Sequence, residues 1–100
     1  MRQITRDAVA AFLATRPFHR DNTDVDVDGK VATLVLHGNA IAKHDGRGRL
    51  FITTAGWPTV TTKERLNGLP NVSVYSCKRV LHLNGQPWDN DNEWTEVKQS

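Results

Sequence analysis

One hundred residues, 38% apolar and 24% charged, describe one folded domain with a single core and exclude a disordered tail. A lone cysteine, Cys77, excludes an internal disulfide and a cysteine-based zinc site and fits a reducing compartment. The N-terminus opens on a charged amphipathic segment rather than a signal peptide, and no run nears the ~20 apolar residues of a membrane span, so a cytosolic domain with no membrane partner is expected.

The first element is a helix from about Arg6 to Arg16. Thr5 is placed to cap it, and Asp7 and Arg16 complement the two ends of its dipole. Ile4, Ala8, Ala11 and Phe12 share one face, widened by Val9 and Leu13, and Pro17 stops the helix. Asp24 to Asp28 then alternates strictly, as a strand with one wet face does. Gly29 turns the chain into Val31 to Leu36, apolar on both faces and so expected in the centre of a sheet. His37–Gly38–Asn39 turns it again into Ala40–Ile41–Ala42. The loop Asp45–Gly46–Arg47–Gly48 leads to a strand over Leu50–Thr53.

Thr61 followed by Glu64 reads as a capping box for a second helix, about Thr62 to Asn67. Gly68 stands where a left-handed residue is wanted after the helix, Leu69 can pack back on its last turn, and Pro70 prevents continuation. Val72–Tyr75 and Val80–Leu83 form a hairpin around Cys77–Lys78, and Asn84–Gly85 turns into a short piece carrying Trp88. After the loop Asp89–Asn92 comes a last strand, Glu93 to Val97. Three Asx–Gly pairs, Asp28–Gly29, Asp45–Gly46 and Asn84–Gly85, sit between apolar runs and punctuate the whole chain, because both residue types accept positive φ. The fold expected is α+β: a small twisted antiparallel sheet built of meanders, with two short helices, over residues 1–100. A constant offset of 47 also pairs Val27 with Val74, Leu34 with Leu81, Leu36 with Leu83 and Gly38 with Gly85. That spacing suggests a degenerate duplication of an αββββ unit, with pseudo-repeats 4–53 and 60–97.

The net charge of +2 is unevenly spread. Residues 43 to 79 carry Lys43, Arg47, Arg49, Lys63, Arg65, Lys78 and Arg79 against Asp45 and Glu64, a balance of +5. Residues 80 to 100 carry Asp89, Asp91, Glu93 and Glu96 against Lys98, a balance of −3. Such asymmetry favours an anionic partner on one side. Arg47, Arg49, Lys63 and Arg65 are the candidates for phosphate contact, with Trp57 as the exposed ring expected to stack on a base; the competing reading of Trp57 is a plug at the sheet–helix junction. Thr61 and Thr62, at the start of the second helix, are candidates for an anion site; the competing reading is a capping box alone. His19, His37, His44 and His82 lack metal-ligand spacing, and Cys77 with His82 lacks a group to orient the imidazole, so no catalytic residue, metal or cofactor is expected.

Leu36–His37–Gly38–Asn39–Ala40–Ile41–Ala42, Ile52–Thr53–Thr54–Ala55–Gly56–Trp57, Thr61 through Pro70 and Leu83–Asn84–Gly85–Gln86–Pro87–Trp88–Asp89 together resemble a recurrent family of short bacteriophage proteins. The resemblance covers nearly the whole chain and departs from the family's pattern at Asn90 to Asn92. It implies a phage accessory protein acting in the host bacterial cytoplasm, and it carries over no site residues. The function expected is therefore a non-enzymatic accessory protein that binds nucleic acid or a nucleoprotein. The alternatives are a protein-binding inhibitor or modulator of a host factor and a minor virion component.

Overall fold

The computed structural model describes residues 2–98. In chain order the elements are α1 (Gln3–Leu13), β1 (Phe18–Arg20), β2 (Thr23–Asp28), β3 (Val31–Leu36), β4 (Asn39–His44), β5 (Leu50–Ile52), α2 (Val60–Leu66), β6 (Val74–Cys77), β7 (Val80–Leu83), β8 (Gln86–Pro87) and β9 (Thr95–Val97). The strands form a six-stranded sheet in the order β1-β2-β3-β4-β5-β9 and a three-stranded sheet β6-β7-β8. Every pairing is antiparallel, and the fold is α+β.

Turn chemistry explains the meanders. His37 (φ 51) with Gly38 (φ 79), and Asn84 (φ 51) with Gly85 (φ 85), are two-residue loops with both central residues at positive φ. That is the type I′ geometry, whose twist matches the flanking strands. Between β2 and β3, Asp28 faces Val31, so the turn centres on Gly29 (φ 62) and Lys30, with Asp28 still in the strand. The Asp45–Gly46 pair sits in a five-residue loop instead. There the Asp45 carboxylate accepts the backbone N–H of Arg47 at 2.8 Å and of Arg49 at 3.4 Å. Two features lay outside the sequence expectation: the short edge strand β1, and a bulge in β4. Val35 faces Ala40 while Leu34 faces Ala42, so Ile41 is the extra residue and both Ile41 and Ala42 are buried.

One face of the large sheet carries the core. Val25, Ala32, Leu34, Leu36, Ala42, Leu50, Ile52 and Val97 pack with Ala8, Val9, Ala11 and Phe12 of α1, Leu66 of α2, and Leu69, Val72, Val74 and Trp88. The second face of β3 is half-open, so its position third in the sheet does not make it buried on both sides. Leu13 of α1 also projects outward, off the buried stripe.

Both helices begin earlier than the sequence suggested. α1 starts at Gln3, and Thr5, instead of capping it, lies buried inside its first turn. It ends before Pro17: Arg16 N–H reaches Ala11 O (2.8 Å) and Thr15 N–H reaches Phe12 O (3.2 Å), with Thr15 at φ 54. This is a Schellman motif with threonine where glycine is usual. α2 is capped by Thr59, whose hydroxyl accepts the Thr62 N–H at 3.1 Å, so Thr61 and Glu64 form no capping box. Gly68 does not take the left-handed conformation after α2. It is a close-approach glycine: a Cβ there would stand 2.7 Å from Thr5 Cγ2 and 3.0 Å from Val9 Cγ2 on α1.

The two halves of the chain do not share a register. Val74 faces Leu83 across its hairpin, whereas Val27 and Leu36, their counterparts at the offset of 47, face Ala32 and Thr23. Strand order differs too, because β9 leaves the small sheet and pairs with β5. The αββββ pseudo-repeat is a likeness of turn spacing, not of pairing.

Gly68→Ala is therefore expected to push α1 from α2 and to cost about 1–3 kcal/mol, the usual range for overpacking. Urea denaturation followed by circular dichroism measures it, and an unchanged midpoint would show that the helices have room to part.

Candidate functional site

The seven residues singled out from sequence fall into separate surroundings. Arg49 lines a cleft of about 270 Å³ with Leu13, His44, Gly46, Gly48, Leu50 and Pro70. Trp57 and Thr62 line a second, of about 210 Å³, whose wall includes Leu36, His37, Asn39 and Ile41. Lys63 lines a third, between α2 and β6. The cations of the central third do not converge on one patch.

Arg65 is not a phosphate ligand, because it is completely buried. Its Nη1 donates to Glu64 Oε1 (2.5 Å) and Thr5 Oγ1 (2.8 Å), its Nε to Thr23 Oγ1 (3.0 Å), and its Nη2 to Asn22 Oδ1 (3.5 Å). The guanidinium thereby fastens α2 to α1 and β2. Glu64 completes the set by accepting from the Thr5 hydroxyl and from the Arg2 backbone N–H at 3.4 Å. Burial pushes the Glu64 carboxyl up, but the Thr5 hydroxyl, the Arg2 N–H and the Arg65 charge outweigh it and hold the group below its usual range.

Thr61 and Thr62 do not form an anion site. α2 has seven residues, Thr62 is buried with its hydroxyl 3.0 Å from that of Thr59, and Thr59 O accepts the Lys63 N–H. Arg49 pairs with Glu96 at 3.5 Å and lies 5.3 Å from the Phe51 ring centre. Lys63 Nζ donates to Ser76 Oγ at 3.0 Å. Arg47 is exposed on the β4–β5 loop, and Trp57 is 65% exposed. Trp88 is buried, its Nε1 donating to Thr95 Oγ1 at 3.0 Å. The acidic segment has a structural duty: Asp91 accepts from the hydroxyls of Thr53 and Thr54 and from the Thr54 N–H, anchoring the loop after β5.

A different feature is better built. β6 and β7 form a hairpin whose register pairs Cys77 with Val80, so Lys78 and Arg79 are its two central turn residues. Their φ angles are 52 and 66. Left-handed backbone costs a side-chain-bearing residue roughly 1–2 kcal/mol, and asparagine–glycine is the usual choice for this turn. Two long cations are held there instead. One face of the hairpin presents Tyr75 stacked on His82, their ring centres 5.2 Å apart and planes 2° from parallel. Tyr75 faces His82, and His82 faces Pro87, across the small sheet. No acidic residue occurs from Arg65 through Trp88. Among the described residues Lys78 and Arg79 take part in no ion pair. The readable signal was the pair Lys78–Arg79 centred between two four-residue runs; placing the turn at Cys77–Lys78 obscured it.

The histidines and Thr54 that line the first two clefts are already engaged. His44 Nε2 donates to Phe12 O at 2.5 Å while its Nδ1 accepts from Gly46 N–H at 3.1 Å. His37 Nε2 lies 3.3 Å from the Asn22 side-chain amide nitrogen, and Thr54 is held by Asp91.

Two outcomes are expected. Because the folded Glu64 pKa is depressed, its contribution is complete above the unfolded value of about 4.3 and fades as pH falls through the folded one. Wild-type stability should thus drop on acidification below about pH 4.3, and Glu64→Gln should be less stable at pH 7 with a shallower acid loss. Chemical denaturation across pH measures both; parallel pH profiles would contradict the role given to Glu64. In the turn, Lys78→Asn with Arg79→Gly should raise stability by about 1–2 kcal/mol by relieving left-handed strain. A lower melting temperature would refute that strain.

A family model described as Kyanoviridae Gp96 protein matches residues 1–99. No curated protein and no solved structure matches the chain. The match spans nearly the entire sequence, and the chain belongs to the Kyanoviridae Gp96 protein family, a family of phage proteins.

Proposed function

We propose that this phage protein is a non-enzymatic accessory factor that binds nucleic acid in the infected bacterium, and that the β6–β7 hairpin is its contact element. The observation that carries the reading is the turn itself: Lys78 and Arg79, two cations in no ion pair among the described residues, kept at positive φ at the tip of an acid-free ribbon. A folding criterion alone selects asparagine and glycine there, and local strain is retained where a side chain has work to do. A two-stranded ribbon fits the major groove of duplex DNA, where cationic tip residues meet phosphates or the acceptor edge of guanine. The Tyr75–His82 stack offers an aromatic face beside it, of the kind on which an unpaired base packs. Arg47 and Lys63 remain as peripheral cations.

Host-factor binding is the second reading, and a separate observation favours it. Trp57 at 65% and Val60 at 79% exposure project close together in sequence, with Trp57 beside the cleft formed by Leu36, His37, Asn39 and Ile41. Exposed aromatic anchors next to a groove are the usual centres of protein interfaces.

Fluorescence anisotropy with duplex DNA, single-stranded DNA and RNA distinguishes the two. Under the leading reading, binding weakens steeply with added salt, and Lys78→Asn with Arg79→Gly reduces the log–log salt slope by about 2 while the fold is kept. Trp57→Ala should leave that binding unchanged. Undetectable affinity at low salt for all three probes, or a turn variant that binds as wild type does, would reject the nucleic-acid reading.

A further inference from the structure

Both helices contribute to the core on one side of the six-stranded sheet, and among the described residues Asp26, Asp28, Val31 and Glu96 on its other side are exposed. Direct cross-strand partners share a face, so the registers define a continuous outer row: Asp26 on β2, Thr33 on β3, Lys43 on β4, Phe51 on β5 and Glu96 on β9. Alternation adds Asp24 and Asp28 to the β2 part of this face, and Val31 and Val35 to the β3 part. Arg49 leans across Phe51 from the same side, and Lys43 Nζ sits 4.3 Å from the centre of the Trp94 ring. The surface is apolar along its midline and at one flank: Val31 is 41% and Trp94 40% exposed, with Val35 and Phe51 half-buried.

Its charge is ordered. β2 presents only aspartates, β3 is neutral, β4 presents Lys43, and beyond it Arg49 is matched by Glu96 of β9. Asp26, Asp28 and Lys43 take part in no ion pair among the described residues. From β2 to β4 the strip is negative on one side of a neutral midline and positive on the other, and so is complementary to itself. We propose that this face is the contact of a two-fold homodimer, with β3 on the axis and Asp26 of each copy set against Lys43 of the other.

The charge pattern also selects the axis. Two sheets stacked face to face lie about 10 Å apart, a gap that an aspartate and a lysine span together once Lys43 swings off the Trp94 ring. A two-fold axis running along β3 places β2 over the partner's β4, joining opposite charges twice and bringing Thr33 against its own copy. An axis across the strands would instead stack the aspartate row on itself, and like-charge contact opposes it. Strand spacing gives a footprint on the order of 500 Å² per copy, the low end for a specific interface, so a dimer of micromolar strength is expected.

Sedimentation velocity on the full chain across the micromolar range tests this. Wild type should pass from monomer toward dimer mass as concentration rises. Asp26→Lys alone and Lys43→Glu alone should each stay monomeric, since each sets like charges against one another, and circular dichroism confirms that both remain folded. The double variant Asp26→Lys, Lys43→Glu should dimerise again. An equimolar mixture of the two single variants should also associate, because each then meets its opposite at both contacts. Wild type that remains monomeric throughout, single variants that associate as wild type does, or a mixture that stays monomeric would each overturn the proposal.

Discussion

The guanidinium of Arg65 is the constraint on which the rest of the arrangement depends. A charge removed from water must be fully hydrogen-bonded, and the groups that satisfy this one come from three elements: Thr5 of α1, Thr23 of β2 with the neighbouring Asn22, and Glu64 of α2. Those elements are dispersed through the sequence, so the ion acts as a tether with a defined geometry. Gly68 follows from it, because two helices drawn this close leave no space for a Cβ. Thr5 is hence a core hydroxyl, not a helix cap.

Around that tether the buried apolar residues of the core pack on one side of the large sheet. Asparagine side chains then attach the small sheet. The Asn67 amide donates to Val74 O (2.9 Å) and its carbonyl accepts the Val74 N–H (2.6 Å), so one side chain stands in for a neighbouring strand. Asn84 repeats the device toward Ser73 N–H and Asn71 O. With β6 held at its base, the far end of the β6–β7 ribbon is free of packing duties, and the strained cationic turn sits there. The ribbon tip and the outer sheet face, like the exposed Trp57 and Val60, are surfaces that the core does not need. The exclusion is physical: a 100-residue chain has one core, and one sheet face with two helices fills it.

Local patterns were legible from residues alone where a single short-range cause decides them. Gly38 and Gly85 at the end of hairpin loops, the alternation of Asp24 through Asp28 and the stop of α1 before Pro17 are such cases. The helix starts were misplaced because a threonine looks the same whether its hydroxyl caps a helix or binds a buried guanidinium. Thr5 and Thr61 were assigned caps by spacing, whereas Thr5 serves Arg65 and Thr59 caps α2. Lys78–Arg79 lay hidden for the opposite reason: nothing in the chemistry of lysine or arginine announces positive φ.

What the sequence by itself determined was the class of fold, the placement of most strands and the surplus of positive charge in the central third, since hydrophobic period, turn residues and formal charge are local properties. Only the tertiary structure decided which cations meet solvent. Arg65 was consumed in the core, Arg49 was matched to Glu96, and Lys78 with Arg79 enter no ion pair among the described residues. Whether a charge is available depends on partners brought together from distant parts of the chain. Those partnerships exist only once β9 pairs with β5 and α2 docks on α1.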